Sequence, residues 1–404
     1  MRSISRRDLL SLGVLAAGSQ MLPHSLGAWA EPPAPASPSP DLAGLPFLKP
    51  TGNGPYRGIA PSLKGDELIK ARLTPDTWQA EILGDGVALD KPRKFDDGTA
   101  LDYATLVDLG KKHNVKVLKA MQCSAGLSNH VVWEGVPLGE LVRQLGKVGD
   151  FQRINITGYH DPSNPKSHFH SVSASYTQVM ENPPRDPPII IAYRLNGAPI
   201  PQNRGGPVRV IVPWAYGFRS VKSVQRLQLT SNPKPVNTYY AGSPDTNFVK
   251  TMAWPEGPFT FKAGAPITCR GLAVCGLEGL KGVEYWLRPG SGTDGKLSKD
   301  DPAWKTATWQ PCVIEPPPND WKPHLPAGIS SNEIWGFDPE TGKPKEWPVR
   351  YSIAMWTARL QDLKAGDYEL RVRSVDEGGI AQPGPRQKEG KDNSAIQYRI
   401  IKVT

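Results

Sequence analysis

Apolar and polar residues alternate over several short runs, and that period of two predicts strands. "WQAEILG" (78–84), "HNVKVLKAMQC" (113–123), "FQRINITGYH" (151–160) and "PIIIAYRLNGAPIP" (188–201) carry the pattern. The last of these runs into an Asn196-Gly197 turn of the kind that closes hairpins. "GPVRVIVPWAYGFRSVKSVQRLQLT" (206–230) predicts two further strands around a Pro-Trp-Ala-Tyr-Gly loop. Helical spacing occurs in "ALDYATLVDLGKK" (100–112) and "PLGELVRQLG" (137–146), the second with Pro137 near its start, where a missing N–H is harmless. After Cys123 the small residues Ser124-Ala125-Gly126 predict a loop. Residues 45–235 therefore form an α+β domain.

Residues 231–262 are rich in Pro, Asn and Tyr and predict a connector. From Ala265 the pattern becomes all-β. "PITCRGLAVCG", "VEYWLRP", "WKTATW", "VRYSIAMWTARL", "DYELRVRSVDE" and "IQYRIIKVT" are short alternating runs between Gly, Pro and Asp turns. Such spacing predicts a two-sheet sandwich of immunoglobulin-like type over residues 236–404.

The first thirty residues predict an export signal. "SISRRDLLSLGVLAAGSQMLPHSLGAWA" joins an arginine pair to a short apolar run and ends in Ala28-Trp29-Ala30. Ser5-Arg6-Arg7-Asp8-Leu9-Leu10 fits the twin-arginine form, which exports proteins already folded and so places the mature chain in the periplasm. Residues 31–44 begin with "EPPAPASPSP", a Pro/Ala/Ser leader that cannot pack into a core. No later segment approaches eighteen consecutive apolar residues, so no membrane span is expected in the mature chain.

Composition agrees with a turn-rich, strand-rich protein: 40 glycines and 42 prolines make up about a fifth of the 404 residues. The formal charge is +9, and it is spread along the chain without a basic block or an aromatic-basic stripe. That pattern argues against nucleic-acid binding and suits small anions or an acidic partner. Four cysteines are too few for a disulfide scaffold. Cys269 and Cys275 share a strand face and are not expected to bond each other, while Cys312 could pair with either. No Cys-x-x-Cys spacing is present, so a structural zinc site is disfavoured.

Three groups of residues could carry chemistry. Cys123 stands at a strand end, either as a small buried hydrophobe or as a soft thiolate ligand for a metal centre. Arg204, Arg209, Arg219 and Lys222 alternate with apolar residues beside Gly205, Gly206 and Gly217. They form either a solvated face or a set of donors converging on a phosphate or oxyanion. His168 and His170 could share a face as metal ligands, but no third ligand accompanies them. Tyr239 and Tyr240 could donate hydroxyls to an oxyanion or pack between domains.

The order of these motifs resembles the sulfite oxidase family of molybdenum enzymes, above all its exported bacterial sulfite and sulfane dehydrogenases. The resemblance covers residues 45–404 and rests on "WEGVPLGELV", on "AYRLNGAPIPQNRGGPVRVIVPWAYGFRSVKSVQRLQL" and on the C-terminal Gln382-Pro383. It implies a molybdenum-molybdopterin cofactor with Cys123 as the protein's metal ligand. It also implies Arg209, Arg219 and Lys222 at the pterin phosphate and anion site, with Ser124, Asn53, Asn203 and Arg204 as further cofactor contacts. Tyr240 matches an active-site tyrosine, and Arg209 joins it in the catalytic set. The implied reaction is oxygen-atom transfer on sulfite or a related sulfur anion, with electrons leaving to a cytochrome c. The sandwich is implied to make a homodimer, or a complex with a cytochrome subunit. Three positions depart from the family pattern. Ser124-Ala125-Gly126-Leu127 follows the cysteine where the family has Gly-Asn and a basic residue. Asn203 or Arg204 replaces a histidine. Lys49, Asn53 and Arg57 stand where an Arg-Asn-His is usual. Two other functions fit the same residues: a sulfoxide reductase, or a binding protein that keeps the fold without catalysis.

Overall fold

The computed structural model describes residues 63–123, 126–160, 170–183, 185–236, 247–290, 302–382 and 396–404, with backbone alone at 123, 126–129, 304 and 305. The first half carries α1 (Asp66–Lys70), β1 (Gln79–Asp85), β2 (Leu101–Asp102), α2 (Tyr103–His113), β3 (Val115–Cys123) and β4 (Gly126–Pro137). It continues with α3 (Leu138–Arg143), β5 (Arg153–Gly158), β6 (Ser171–Ser175), α4 (Tyr176–Met180), β7 (Ile190–Leu195), β8 (Ala198–Pro199), β9 (Arg209–Ile211) and β10 (Val224–Thr230). The second half carries β11 (Met252–Glu256), β12 (Thr260–Phe261), β13 (Ile267–Val274), β14 (Gly282–Pro289) and α5 (Ala303–Thr306). It ends with β15 (Gln310–Pro311), β16 (Val313–Ile314), β17 (Ile353–Leu360), β18 (Gly366–Val375) and β19 (Gln397–Val403).

The strands of the first half form two sheets, ordered β2-β1-β10-β5-β6 and β3-β4-β7-β8, with β9 added beside β7. Helix α2 starts where Asp102 accepts a bond from the Thr105 amide at 2.7 Å and carries Lys111 and Lys112 in its last turn, each charge suiting its end of the helix dipole. Between β7 and β8 the chain turns through Asn196 and Gly197 at φ 50° and 79°, the expected two-residue hairpin. The segment after Cys123 differs from expectation. Cys123 already pairs with Gly126 and β4 runs back along the whole of β3, while Ser124 and Ala125 lie outside the described residues. Serine, asparagine and glycine hid this strand; its apolar core, Val131-Val132-Trp133, is buried.

The second half is a two-sheet sandwich, ordered β11-β13-β17-β16 and β12-β19-β18-β14-β15. Trp356, Ala354, Cys269, Leu370, Val372 and Ile401 from both sheets share one core. Two local expectations change. The supposed connector contains β11, paired with β13, and "WKTATW" (304–309) begins in the short helix α5 after Pro302, not in a strand. Cys269, Cys275 and Cys312 are all free thiols, so the possible disulfide is absent among them.

The two halves share a core as well. Val249, Met252, Val274, Tyr351 and Ile353 join Trp78, Ile154, Val210 and Leu227 in one cluster. The loop between β16 and β17 reaches furthest: Trp321, Leu325, Ile329, Ile334 and Phe337 pack on Leu118 and Val132 of β3 and β4. Its backbone also covers the open edge of β3, with the Trp335 amide donating to the Lys116 carbonyl at 2.8 Å and the Ala120 amide to the Tyr351 carbonyl at 2.5 Å. An edge strand so covered offers no template for further pairing. The strand that ends at Cys123 is thus clamped from both sides.

Candidate anion and cofactor site

Strand β3 sets the position of Cys123. A bulge between Met121 and Gln122 breaks the register with β4 just before the cysteine, and bulges re-aim the residues that follow them. Gln122 anchors the bulge: its side-chain oxygen accepts from the Lys250 amide at 2.9 Å, and its amide nitrogen lies 2.6 Å from the Met252 sulfur. The end of β3 is thereby tied to the segment that follows residues 237–246.

Arg204, Arg209 and Arg219 are 5%, 3% and 1% exposed, so they are not a solvated face. The Arg209 guanidinium donates to the Arg204 and Ser220 carbonyls, both at 2.7 Å, and stacks 4.8 Å from the Trp133 ring. Arg219 donates to the Ser173 carbonyl at 2.9 Å and stands 5.8 Å over Trp214. The Lys222 ammonium reaches the Asn203 carbonyl at 3.4 Å, which is how Asn203 enters the site; its own side chain is exposed. Gly205, at φ 91°, lies under the Lys222 stem, and an added Cβ would fall 2.4 Å from Lys222 Cγ. Only glycine admits that approach.

The electrostatics show how closely these groups crowd. Burial, followed by the Arg209 and Arg204 charges, pushes the Lys222 amine down to about 7. His170 is pushed down to about 4, first by burial and then by Arg209 and Lys222, against a raising bond to the Phe218 backbone. It is a neutral imidazole beside the cations. Among the described residues no three His, Cys, Asp or Glu side chains gather as metal ligands, and His168 lies outside them.

Sequence reasoning missed Lys119. It sits in the middle of β3, fully buried, and its ammonium donates to the Pro213 carbonyl and, at 3.1 Å, to the Ala215 carbonyl. Burial first and Arg209 second push it down to about 7. The available signal was a lysine inside "VLKAMQ", a run with both neighbours apolar, where a charge survives only with built-in partners.

Lys119, Arg204, Arg209, Lys222 and His170 therefore converge where β3, β9 and the 202–222 loops meet. Burying several cations together is costly unless an anion joins them. The cluster fits the phosphate of a pterin cofactor, for which fixed guanidinium forks and ammonium groups are suited donors. Tyr239, Tyr240, Asn53, Ser124, Lys49 and Arg57 lie outside the described residues, and the Cys123 side chain is likewise outside them.

The buried basic cluster suits an anionic group, and comparison with known proteins specifies the class of the chain. Residues 72–238 match the oxidoreductase molybdopterin-binding domain. The protein-methionine-sulfoxide reductase catalytic subunit MsrP of Ralstonia nicotianae is 27% identical over 263 residues, 61% of this chain and 75% of that protein. Mitochondrial sulfite oxidase of Drosophila melanogaster is 25% identical over 335 residues; the match takes 77% of this chain but spans only 52% of that protein. The solved sulfane dehydrogenase SoxCD of Paracoccus pantotrophus shares the fold, with a TM-score of 0.56 at 18% identity over 82% of this chain and 77% of that one. Residues 72–238 are thus an oxidoreductase molybdopterin-binding domain of the kind found in sulfite oxidase and its relatives, and the chain is an enzyme that uses a molybdenum-molybdopterin cofactor.

Proposed function

We propose that this protein oxidises sulfite or a related sulfur oxyanion in the periplasm and passes the electrons to a cytochrome c. The observation that carries the reading is the buried convergence of Lys119, Arg204, Arg209 and Lys222. Cys123 is the protein ligand of the metal, with Arg204, Arg209, Arg219 and Lys222 holding the pterin phosphate. Ser124, Asn53 and Asn203 complete the cofactor contacts, and Tyr240 is the active-site tyrosine. When bound, the cofactor supplies two-electron oxygen-atom transfer to sulfur. The chain's own share is electrostatic and positional: the guanidinium of Arg209 is held by two carbonyls and an indole face, so it needs little reorganisation when charge changes. Burial keeps water from screening that charge.

Residues 1–30 are read as the twin-arginine signal and 31–44 as its leader, with 45–235 as the cofactor domain and 236–404 as an immunoglobulin-like dimerisation domain. None of the described helices is long and apolar enough to cross a membrane. The MsrP relatives favour a second reading, reduction of sulfoxides, because they match 61% and 58% of this chain at 27% identity. Oxidation is preferred because the sulfite oxidase match runs over 77% of the chain, against 61% for the MsrP match.

Protein matured in a host that makes molybdopterin is expected to hold one molybdenum per chain and to reduce cytochrome c with sulfite. Metal-loaded protein that ignores sulfite but consumes methionine sulfoxide with a dye donor would move the assignment to the reductive reading. Metal-free protein from the same host would leave only the binding-protein reading.

A further inference from the structure

Lys119 does something the cluster alone does not require. Its two acceptors, the carbonyls of Pro213 and Ala215, flank Trp214 in the turn that leads into Gly217–Arg219. That turn is held on its other side by two backbone bonds: Tyr216 N–H to the Asn247 carbonyl at 3.0 Å and Val249 N–H to the Trp214 carbonyl at 2.9 Å. Neither bond reaches β3. Lys119 is on β3, four residues before Cys123, and its side chain spans from that strand to the turn. We propose that Lys119 is a positioning residue: it locks the Pro213–Ala215 turn, and through it Arg219, at a set depth against the strand that ends in Cys123.

The physical argument is one of alternatives. A buried methionine would fill the same volume and cost no desolvation, yet it would leave two carbonyls without their ammonium donor. A lysine in this place gives the turn two charge-assisted bonds, which are directional and stronger than neutral ones. The turn needs that precision because Arg219 must meet an anion whose other end is set by Arg209 and Lys222. A lateral error of about 1 Å in such a site costs on the order of a hundredfold in rate. The proposal rests on the reading above only for the identity of the group that fills the cleft.

The test compares wild type, Lys119→Met and Lys119→Arg as full chains matured in a molybdopterin-producing host. Two quantities are measured: amide hydrogen exchange along the chain, and molybdenum retained per chain after dialysis. In Lys119→Met, exchange is expected to quicken tenfold or more over residues 212–220 and to stay within twofold in the sandwich. Retained molybdenum is expected to fall at least tenfold. Lys119→Arg, which keeps a cation and several donors, is expected to recover most of both. Unchanged exchange at 212–220 in Lys119→Met overturns the proposal, as does an arginine variant no better than the methionine one. If Lys119→Met does not accumulate, Lys119→Gln takes its place: a neutral donor should restore part of the exchange protection, and protection equal to wild type counts against the proposal. A wild type without molybdenum refutes the cofactor reading, while the exchange comparison still decides the role of Lys119.

Discussion

Two groups of arginines in this molecule are handled in different ways. On the outer sheet of the sandwich, Arg288 bonds Glu369 through two nitrogens at 3.0 and 2.5 Å, and Arg371 meets the same carboxylate. Arg373 grips Glu284 at 2.7 Å through two nitrogens. Carboxylates offset most of the charge in place, two for three arginines, and aromatic rings cover the guanidiniums: Arg373 lies 4.1 Å over Trp309 and Arg371 4.8 Å over Tyr398. In the cluster around β9, Arg209 and Arg219 are held by backbone carbonyls, and Lys119 and Lys222 feel Arg209 as a repulsive neighbour. Carbonyls fix the orientation of a guanidinium, whereas carboxylates also offset its charge. The sandwich uses arginine as a strut between carboxylates; around β9 the guanidinium of Arg209 is aimed by the backbone.

The contrast can be broken at several points. The largest effect is expected for Cys123→Ser, which should abolish turnover, a loss beyond the roughly ten- to hundredfold that removing an outer-shell partner costs a metal site. Steady-state assay on protein of known molybdenum content measures it; a serine variant with unchanged rate would disprove the ligand assignment. Arg209→Met should come next, lowering cofactor retention by about a hundredfold while sparing the sandwich, because a buried donor to a charged group is lost. Pterin released per chain reads this out.

Trp356→Ala in the sandwich core should do the reverse. It should cost about 3–5 kcal/mol of stability, seen as a lower denaturant midpoint, with molybdenum per folded chain unchanged. The indole is fully buried and its N–H donates to the Leu272 carbonyl at 3.2 Å. Arg373→Ala should change stability by only about 0–1 kcal/mol, since the pair with Glu284 is a quarter or more exposed on both sides.

A further expected effect concerns pH. Lys119 and Lys222 are held down to about 7 from an ordinary 10.5. Above pH 7 the folded, cofactor-free chain therefore carries fewer protons than the unfolded chain, and its stability should rise with pH. The buried thiols of Cys269 and Cys275, pushed up to about 12 by burial, act with the opposite sign once the unfolded thiols ionise near 9.0. The clean window thus runs from pH 7 to about 8.5, where thermal midpoints should climb by about 2–4 °C. Added sulfate should flatten the slope by neutralising the cluster. A slope of the opposite sign would show that the two amines are not held below their ordinary range in the folded chain.

Much of the fold was legible because strand alternation and turn chemistry act locally. The Asn196-Gly197 hairpin, the Asp102-capped helix α2 and the sandwich strands β13, β14, β17, β18 and β19 follow from a few adjacent residues each. Strand β4 was not legible, since Ser128, Asn129 and His130 carry no strand signal of their own and are ordered by pairing with β3 and β7. The site was legible where residues crowd in sequence, from Arg204 to Lys222. It was not legible at Lys119 and His170, whose place in the cluster depends on contacts across about ninety and fifty residues of chain.

By itself the sequence determined the alternation of strands, the cysteine at a strand end and the glycine-flanked run of arginines, because each is a matter of neighbours along the chain. The tertiary structure decided which charges are buried together and whether a carboxylate or a carbonyl meets each of them. That choice is made by side chains far apart in sequence, and burial raises the strength of their interactions enough to turn a string of ordinary basic residues into a site.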